Sequence, residues 1–308
     1  VIKRFNRYEL KYVLPVQKSR RIAEDLRAFT RPDEHGGEEG YRVVSLYYDS
    51  PALDFFWAKI EGIKFRRKVR IRIYPEDAGT TGERSPGGNR EVLSVPRSAN
   101  RGIADAGDPR GHVFFSDLPP RPEIGADHQQ RPLTGMDAVE RAMVEIKQRI
   151  NRTVQKRRLQ LPLEEAELLC EGSVDMERMD PLDRQVASEV QYLVNAMHLR
   201  PTCIIAYRRR AFVGSLYEPG LRITFDTDLR CRVHELKVNA GAENHLFLPP
   251  EWCIMEVKAN NAVPDWVTSL LAVHNCQLRR VSKYCTGLAL AAGIRVEPFA
   301  VSPLPEEK

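Results

Sequence analysis

No apolar run in this chain approaches the roughly 20 residues that a helix needs to cross a bilayer. The opening segment VIKRFNRYELKYVLP alternates and carries charge, unlike a signal peptide. A soluble, cytoplasmic chain is expected, one that meets a membrane only through a membrane-protein partner. Cysteine is sparse: Cys170, Cys203, Cys231, Cys253, Cys276 and Cys285 form no C-x-x-C pair and have no accompanying histidine spacing, which argues against a zinc site. Most lie in apolar strand or helix contexts and are read as reduced, buried small hydrophobes. A G-x-x-x-x-G-K-[ST] loop is missing too, so a P-loop nucleotide enzyme is excluded. No Ser-His-Asp or Cys-His arrangement stands out, and nothing repeats at solenoid spacing.

What is present is charge. The 308 residues are 42% hydrophobic, enough for a substantial core, and Lys+Arg exceed Asp+Glu by 47 to 42. That excess permits an anionic partner without identifying one.

Residues 5 to 13 alternate as a strand does, and Pro15 opens a helix in which Ile22, Leu26 and Phe29 share a face. Strands follow at RVVSLYYDS and from Lys64 to Tyr74. Between Pro75 and Asp137 the chain turns rich in Pro, Gly, Asn and charge, which predicts a flexible insertion within a single domain spanning 1–308. The short apolar patch HVFFSDL in it is a candidate extra strand, and His112 and His128 read as solvated loop residues. AMVEIKQRI and TVQKRRLQL, separated by a residue or two around Asn151, suit a tight hairpin. LPLEEAELL reads as a short helix, and Val186, Val190, Leu193, Val194 and Met197 form the stripe of a longer one. CIIAYRRRAFV and LRITFDTDL are strands joined by GSLYEPG, and EWCIMEVKA is a last strand before two helices. Sequence-adjacent strand pairs without helical crossovers point to an α+β fold with an antiparallel sheet.

Alternate side chains of a strand share a face. Lys64, Arg66, Lys68, Arg70 and Arg72 therefore form one row of cations, opposite Val69, Ile71 and Ile73. Glu145, Lys147 and Arg149 oppose Val144 and Ile146, and Lys156 and Arg158 share a face. Glu256 and Lys258 oppose Met255 and Val257, while Arg222, Thr224, Asp226 and Asp228 lie on one side of their strand. A solvated sheet face also alternates, but it mixes signs. Five successive cations on one face repel each other, and such a row wants a polyanion. If the sheet closes into a barrel of about eight strands, this face lines its interior and amphipathic helices cover the outside.

In order along the chain, RYELKY, SLYYDS, RIRIY, EIKQR, KRR, YRRRAF, RITFDTDL, MEVK and RRVSKY resemble the VTC domain, the polyphosphate polymerase domain of the triphosphate tunnel metalloenzymes. The resemblance spans nearly everything outside the insertion. It implies a closed, basic tunnel in which cations grip a triphosphate and a carboxylate holds Mn²⁺ or Mg²⁺. The phosphate-binding set it implies is Lys11, Arg70, Arg72, Lys147, Lys156, Arg158, Arg209, Arg222, Lys258, Arg280 and Lys283. Lys11, Arg70, Arg72, Lys147, Arg209, Arg222 and Lys283 carry the catalytic role in that reading. Glu256 matches the metal-binding carboxylate, with Glu9 and Glu145 as further candidates. In place of the Glu-x-Glu-x-Lys of the related CYTH enzymes stand Arg7, Glu9 and Lys11, which favours the VTC branch.

The implied activity is polymerisation of inorganic polyphosphate from ATP. Hydrolysis of triphosphate or polyphosphate is the alternative, and a polyphosphate-binding module without catalysis is a third. Basic strands also grip nucleic acid, a reading that needs stacking aromatics such as Tyr47, Tyr48, Tyr74 and Tyr207 on an exposed face. Aromatics in strands more often belong to a core, so the tunnel is preferred and no nucleic-acid partner is expected. Deleting the insertion is expected to leave a cooperative thermal melt, because the segment lacks periodic apolar positions. Loss of that melt would refute its dispensability.

Overall fold

A computed structural model describes residues 7–75 and 140–295, apart from 152, 219 and 261. The insertion expected from Pro75 to Asp137, with its strand candidate and two histidines, lies beyond Pro75 outside the described residues. Alternation at the start of the chain produces β1 (Arg7–Pro15), and Pro15 leads directly into α1 (Val16–Leu26). Then come β2 (Thr30–Pro32), β3 (Tyr41–Asp49), α2 (Asp54–Ile60) and β4 (Phe65–Ile73). After the undescribed stretch, β5 (Arg141–Ile150) and β6 (Thr153–Pro162) form the expected hairpin, with Ile150 opposite Thr153 and Asn151 at a φ of 55°. Asparagine tolerates that left-handed backbone better than most residues. Next are α3 (Leu163–Glu171), α4 (Pro181–Met197), β7 (Arg200–Gly214), β8 (Arg222–Arg232), β9 (His245–Leu246), β10 (Trp252–Asn260), α5 (Asp265–Val273) and α6 (Lys283–Ala291).

Two expectations change in detail. Phe29 falls beyond the end of α1 and is half exposed, its ring stacked on Trp266 at 4.6 Å. The short helix α2 was not anticipated, because seven residues show too little periodicity to betray it.

All described strands join one antiparallel sheet in the order β1-β10-β8-β7-β3-β4-β5-β6, with β2 beside β7 and β9 beside β8. The sheet curls: Lys147 on β5 reaches Glu9 on β1 at 2.8 Å. It does not close. Among the described residues β1 and β6 do not pair, so the expected closed barrel is corrected to an open, curled sheet. Both edges are otherwise engaged. Arg279 donates its backbone N–H to the Lys11 carbonyl at 2.8 Å, occupying the free edge of β1. β6 is held to the helices instead, by Leu159 and Leu161 in the core shared with α3 and α4 and by an Arg157–Glu189 ion pair.

Three apolar clusters follow from strand parity. Even residues of β3 and β5 and odd residues of β4 and β6 pack outward on α3 and α4. Even residues of β1 and odd residues of β8 and β10 pack outward on α1 and α5. The third cluster lies on the inner face, where Val43, Cys203, Ile205 and Cys231 meet Phe56 of α2 and Tyr284, Cys285 and Leu288 of α6. Helices therefore cover the outside, as expected, while α2 and α6 fill part of the trough. The remaining inner face is polar.

Asp49 fastens α2 and α6 to the sheet. Its carboxylate accepts backbone N–H groups of Ser50, Phe55 and Phe56 at 2.8 to 2.9 Å and the Tyr284 hydroxyl at 2.5 Å. Asp49→Ala strands those buried donors and is expected to cost about 3 kcal/mol or more, while Tyr284→Phe costs about 1 to 2 kcal/mol. Urea titrations of both variants check this order, and equal losses would contradict it.

Candidate functional site

Inward parity brings together Glu9 and Lys11 from β1, Lys68, Arg70 and Arg72 from β4, Glu145 and Lys147 from β5 and Lys156 from β6. It adds Arg209 from β7, Thr224 and Asp226 from β8, and Glu256 and Lys258 from β10. The first residue of α6 supplies Lys283. Of the expected row of cations, Arg66, Lys68, Arg70 and Arg72 lie in β4, while Lys64 is exposed just before it, and the row does not face bare repulsion. Glu145, 2% exposed, accepts the Arg70 Nε at 2.7 Å, lies 3.9 Å from Arg72 and pairs with Lys156. Burial alone would raise its pKa, yet Arg70, Arg72 and Lys156 hold it below the usual carboxylate range.

Asp226 does the same for a second group. It is fully buried and accepts Arg209 through Nε at 2.7 Å and Nη2 at 2.8 Å, with Lys283 Nζ at 2.6 Å. Burial opposes its charge, but Arg209 and Lys283 outweigh that and bring its pKa down to about 2. The bidentate pairing fixes the guanidinium plane of Arg209.

A third group surrounds two acids. Glu9 pairs with Lys11 at 3.0 Å and Lys147 at 2.8 Å, and Glu256, 5% exposed, pairs with Lys258 at 3.0 Å. Lys11 stands opposite Glu256 in the β1·β10 register, and the Glu9 and Glu256 carboxyls lie close enough to interact directly. Burial and Glu256 both push Glu9 up, but Lys11 and Lys147 bring it to about 2. Burial likewise opposes charge on Glu256, and Lys11, Lys258 and Lys283 hold it well below the ordinary range. Lys11 is itself raised, the attraction of Glu256 and Glu9 exceeding the effect of burial.

Two adjacent ionised carboxylates are the donors that hard Mg²⁺ or Mn²⁺ prefers. Among the described residues no group of three or more His, Cys, Asp or Glu could enclose a metal. Glu9 and Glu256 therefore fit an ion that takes its other ligands from water and phosphate oxygens, the usual habit of Mg²⁺. Opposite Glu256 in the β8·β10 register, Thr224 Oγ1 is buried with no hydrogen-bond partner among the described residues. An orphaned hydroxyl beside this pair suits a ligand oxygen.

Other expected residues sit further out. Arg222 pairs with Asp33 at 2.7 Å and the Tyr41 hydroxyl at 3.0 Å. Arg158 and Arg280 are exposed, the latter in the segment before α6. Asp228 leaves the inner row, because the β7·β8 register shifts between Ala206 and Arg208 and Asp228 takes a φ of 49°.

Several contacts of the site were not foreseen from sequence, where Tyr47 was weighed only as a stacking aromatic. The Tyr47 hydroxyl accepts Arg70 Nη1 at 2.8 Å, and its ring stacks on Tyr284 with centroids 4.9 Å apart. Burial would raise this phenol, but Arg70 and Lys68 bring it down to about 8. Lys68 donates to Ser282 Oγ at 2.9 Å, and Arg72 donates to Ser45 Oγ at 3.0 Å. Parity already placed Thr224 and Asp226 inward. The partners of Tyr47 and Ser282 come from elements distant in sequence and left no such signal.

A model of the VTC domain matches residues 6–85 and 130–292. The chain belongs to the VTC family. No curated protein matches it. Among solved structures, a candidate adenylate cyclase from Bacillus halodurans aligns at 10% identity over 90% of this chain and 95% of its own, with a TM-score of 0.40. One from Vibrio parahaemolyticus aligns at 8% identity over 91% and 97%, with a TM-score of 0.38. Among the described residues, no helix of this VTC protein is long and apolar enough to cross a membrane.

Asp226 sets an acid limit on this arrangement. Its folded pKa of about 2 lies below the ordinary 3.8, so its stabilisation is fully present above pH 4 and is lost as pH falls toward 2. The shift corresponds to about 2 kcal/mol. Asp226→Asn is expected to lose about 3 to 5 kcal/mol at pH 7, because Arg209 and Lys283 remain buried without their counterion. It should also flatten the stability profile between pH 4 and 2. Urea unfolding at several pH values tests both, and a variant profile parallel to the parent's would refute the assignment.

Proposed function

We propose that this chain is a metal-dependent phosphotransferase that moves the γ-phosphoryl group of ATP onto a growing inorganic polyphosphate chain. The observation that carries the proposal is the charge balance of the inner face. Among the described residues, and apart from Asp49, which is given to α2 and α6, Lys11, Lys68, Arg70, Arg72, Lys147, Lys156, Arg209, Lys258 and Lys283 share it with Glu9, Glu145, Asp226 and Glu256. The excess of cations over acids suits a polyanion, and membership of the VTC family points to phosphate chains.

Phosphoryl transfer asks the protein for in-line positioning and for neutralisation of the equatorial oxygens. A terminal oxygen of the acceptor chain attacks the γ-phosphorus. The bond from that phosphorus to the bridging oxygen breaks, and ADP leaves with the electron pair. Arg70, Arg72 and Arg209, each fixed by a carboxylate or hydroxyl, offer forked donors to the phosphoryl oxygens, while Lys11, Lys147, Lys258 and Lys283 act as point charges. Arg222 and Lys156 extend the grip, with Arg158 and Arg280 at its rim. Glu256 and Glu9 would hold Mg²⁺ or Mn²⁺, which supplies further neutralisation of phosphate charge when bound. Glu145 serves the cations as counterion. No protein nucleophile is required.

Glu256→Gln keeps the shape of the side chain and removes a charged ligand. It is expected to lower ATP turnover by on the order of 100-fold, the scale of losing a major electrostatic contributor, with the cooperative melt retained. Arg70→Ala and Arg72→Ala should weaken inorganic triphosphate binding by about 1 to 3 kcal/mol. Glu145 loses a partner in each, so stability falls rather than rises, contrary to what relief of repulsion alone predicts. The assay incubates protein with ATP and Mn²⁺ and resolves the products. Chains lengthening with time support polymerisation. ADP and orthophosphate without longer chains select a hydrolase, and tight binding without turnover selects a binding module. Normal turnover in Glu256→Gln together with normal affinity in both arginine variants removes the site.

A further inference from the structure

Three side chains of the trough meet in a line across neighbouring strands. Tyr47 stands opposite Arg70 in the β3·β4 register, and Arg70 stands opposite Glu145 in the β4·β5 register. The guanidinium of Arg70 therefore has a phenol on one side and a carboxylate on the other. Glu145 engages it through a single oxygen, Oε2, which accepts Nε at 2.7 Å and lies 2.5 Å from Nη2, while Oε1 is taken by Lys156. Arg209 is held differently, because Asp226 gives one oxygen to its Nε and the other to its Nη2. Parallel contacts to two oxygens fix the plane of a guanidinium. Two contacts to one oxygen leave a hinge at that oxygen. The Tyr47 hydroxyl supplies the missing point of attachment by accepting Arg70 Nη1 at 2.8 Å.

Tyr47 is itself firmly held. It is 6% exposed, and its ring stacks on that of Tyr284 at an interplanar angle of 19°. The Tyr284 hydroxyl donates to Asp49, which also accepts the backbone N–H groups of Ser50, Phe55 and Phe56. A chain of fixed contacts thus runs from the anchor of α2 and α6 to Arg70. Lys68 Nζ lies over both rings, 5.9 Å from the centroid of Tyr47 and 5.2 Å from that of Tyr284. Burial opposes ionisation of the Tyr47 phenol, whereas Arg70, Lys68 and Arg72 of β4 favour it and prevail, and Lys11 of β1 also feels its charge.

A guanidinium has five N–H donors. Glu145 takes one from Nε and one from Nη2, and Tyr47 takes one from Nη1, so among the described residues one N–H remains on each terminal nitrogen of Arg70. We propose that Tyr47 is a positioning residue of the phosphate site: its hydroxyl, set opposite Glu145, locks the plane of Arg70 so that these two N–H groups meet the oxygens of a phosphate chain in a fixed orientation. Tyr47 acts through Arg70 and not on the substrate. This role rests on the proposed function, since it requires the trough to bind phosphate.

Calorimetric titration with inorganic triphosphate of the full chain, Tyr47→Phe, Arg70→Ala and the double variant separates positioning from general damage. Phenylalanine keeps the stack on Tyr284, so the cooperative melt is retained. Tyr47→Phe is expected to weaken triphosphate binding roughly three- to tenfold, the scale of one hydrogen bond to a charged group, and to make no further difference once Arg70 is alanine. Unchanged affinity in Tyr47→Phe, or additive losses in the double variant, overturns the proposal. Ultraviolet titration of tyrosinate reads the contact without ligand. The parent should show a phenol ionising at about 8 that disappears in Tyr47→Phe and moves upward in Arg70→Ala, where the cation that favours the phenolate is gone. A phenol that Arg70→Ala leaves in place also overturns the proposal. A parent that binds no triphosphate removes the phosphate site and this role with it, whereas binding with additive losses removes the role alone.

Discussion

Cations can be crowded on the inner face of this sheet because carboxylates are interleaved among them. Glu145, Asp226 and the Glu9/Glu256 pair each come from a different part of the sheet, and each gathers its own group of lysines and arginines. Without them, neighbouring cations would repel one another and their side chains would swing to solvent. With them, the guanidinium groups are held before any ligand arrives. This is preorganisation, since the cost of aligning the donors is met during folding.

That arrangement inverts the usual sheet, and the inversion dictates the rest of the fold. A polar interior pushes Val69, Ile71, Val144 and Ile146 outward, where they need cover from α3 and α4. The opposite end of the sheet needs α1 and α5 for the same reason. Among the described residues the inner face is apolar where α2 and α6 enter the trough, and Asp49 anchors both helices there through Tyr284 and the start of α2. The N-terminus of α6 then delivers Ser282 and Lys283 to the charged region. Anchor and site thus meet at the same end of α6, where Tyr284 directly follows Lys283.

The sequence displayed the strands and their parity clearly, because a period of two places Arg70, Arg72, Glu145, Glu256 and Lys258 on one face without any tertiary knowledge. It could not show which acid meets which base. Those pairs depend on strand order, and Glu145 is 75 residues from Arg70 while Glu9 is 138 from Lys147. Closure of the barrel was equally hidden. Whether β1 meets β6 is decided by competitors for their edges, and the segment around Arg279 that takes the edge of β1 has no strand pattern of its own. Asp228 shows the limit of parity itself: one irregular register position sends it out of the row to which counting assigned it.

The four acids of the trough are not equivalent, and the difference follows from their partners. Glu145 and Asp226 hold arginines, and Arg209 is bound to Asp226 through two nitrogens in a planar contact that a metal could not share without breaking it. Glu9 and Glu256 contact lysines, whose flexible stems and single charged nitrogen can turn toward a phosphate oxygen instead. Under the proposed function, an incoming phosphate chain would have two ways to engage this surface. It can add to the arginines along their open edges, leaving their carboxylates in place. It could also draw lysines away from the Glu9/Glu256 pair, and those two carboxylates, still ionised and then less compensated, would become better ligands for a divalent cation. On the proposed function, cation and polyanion binding to the same trough would then be mutually reinforcing, since each would supply the charge that the other's arrival leaves unpaired.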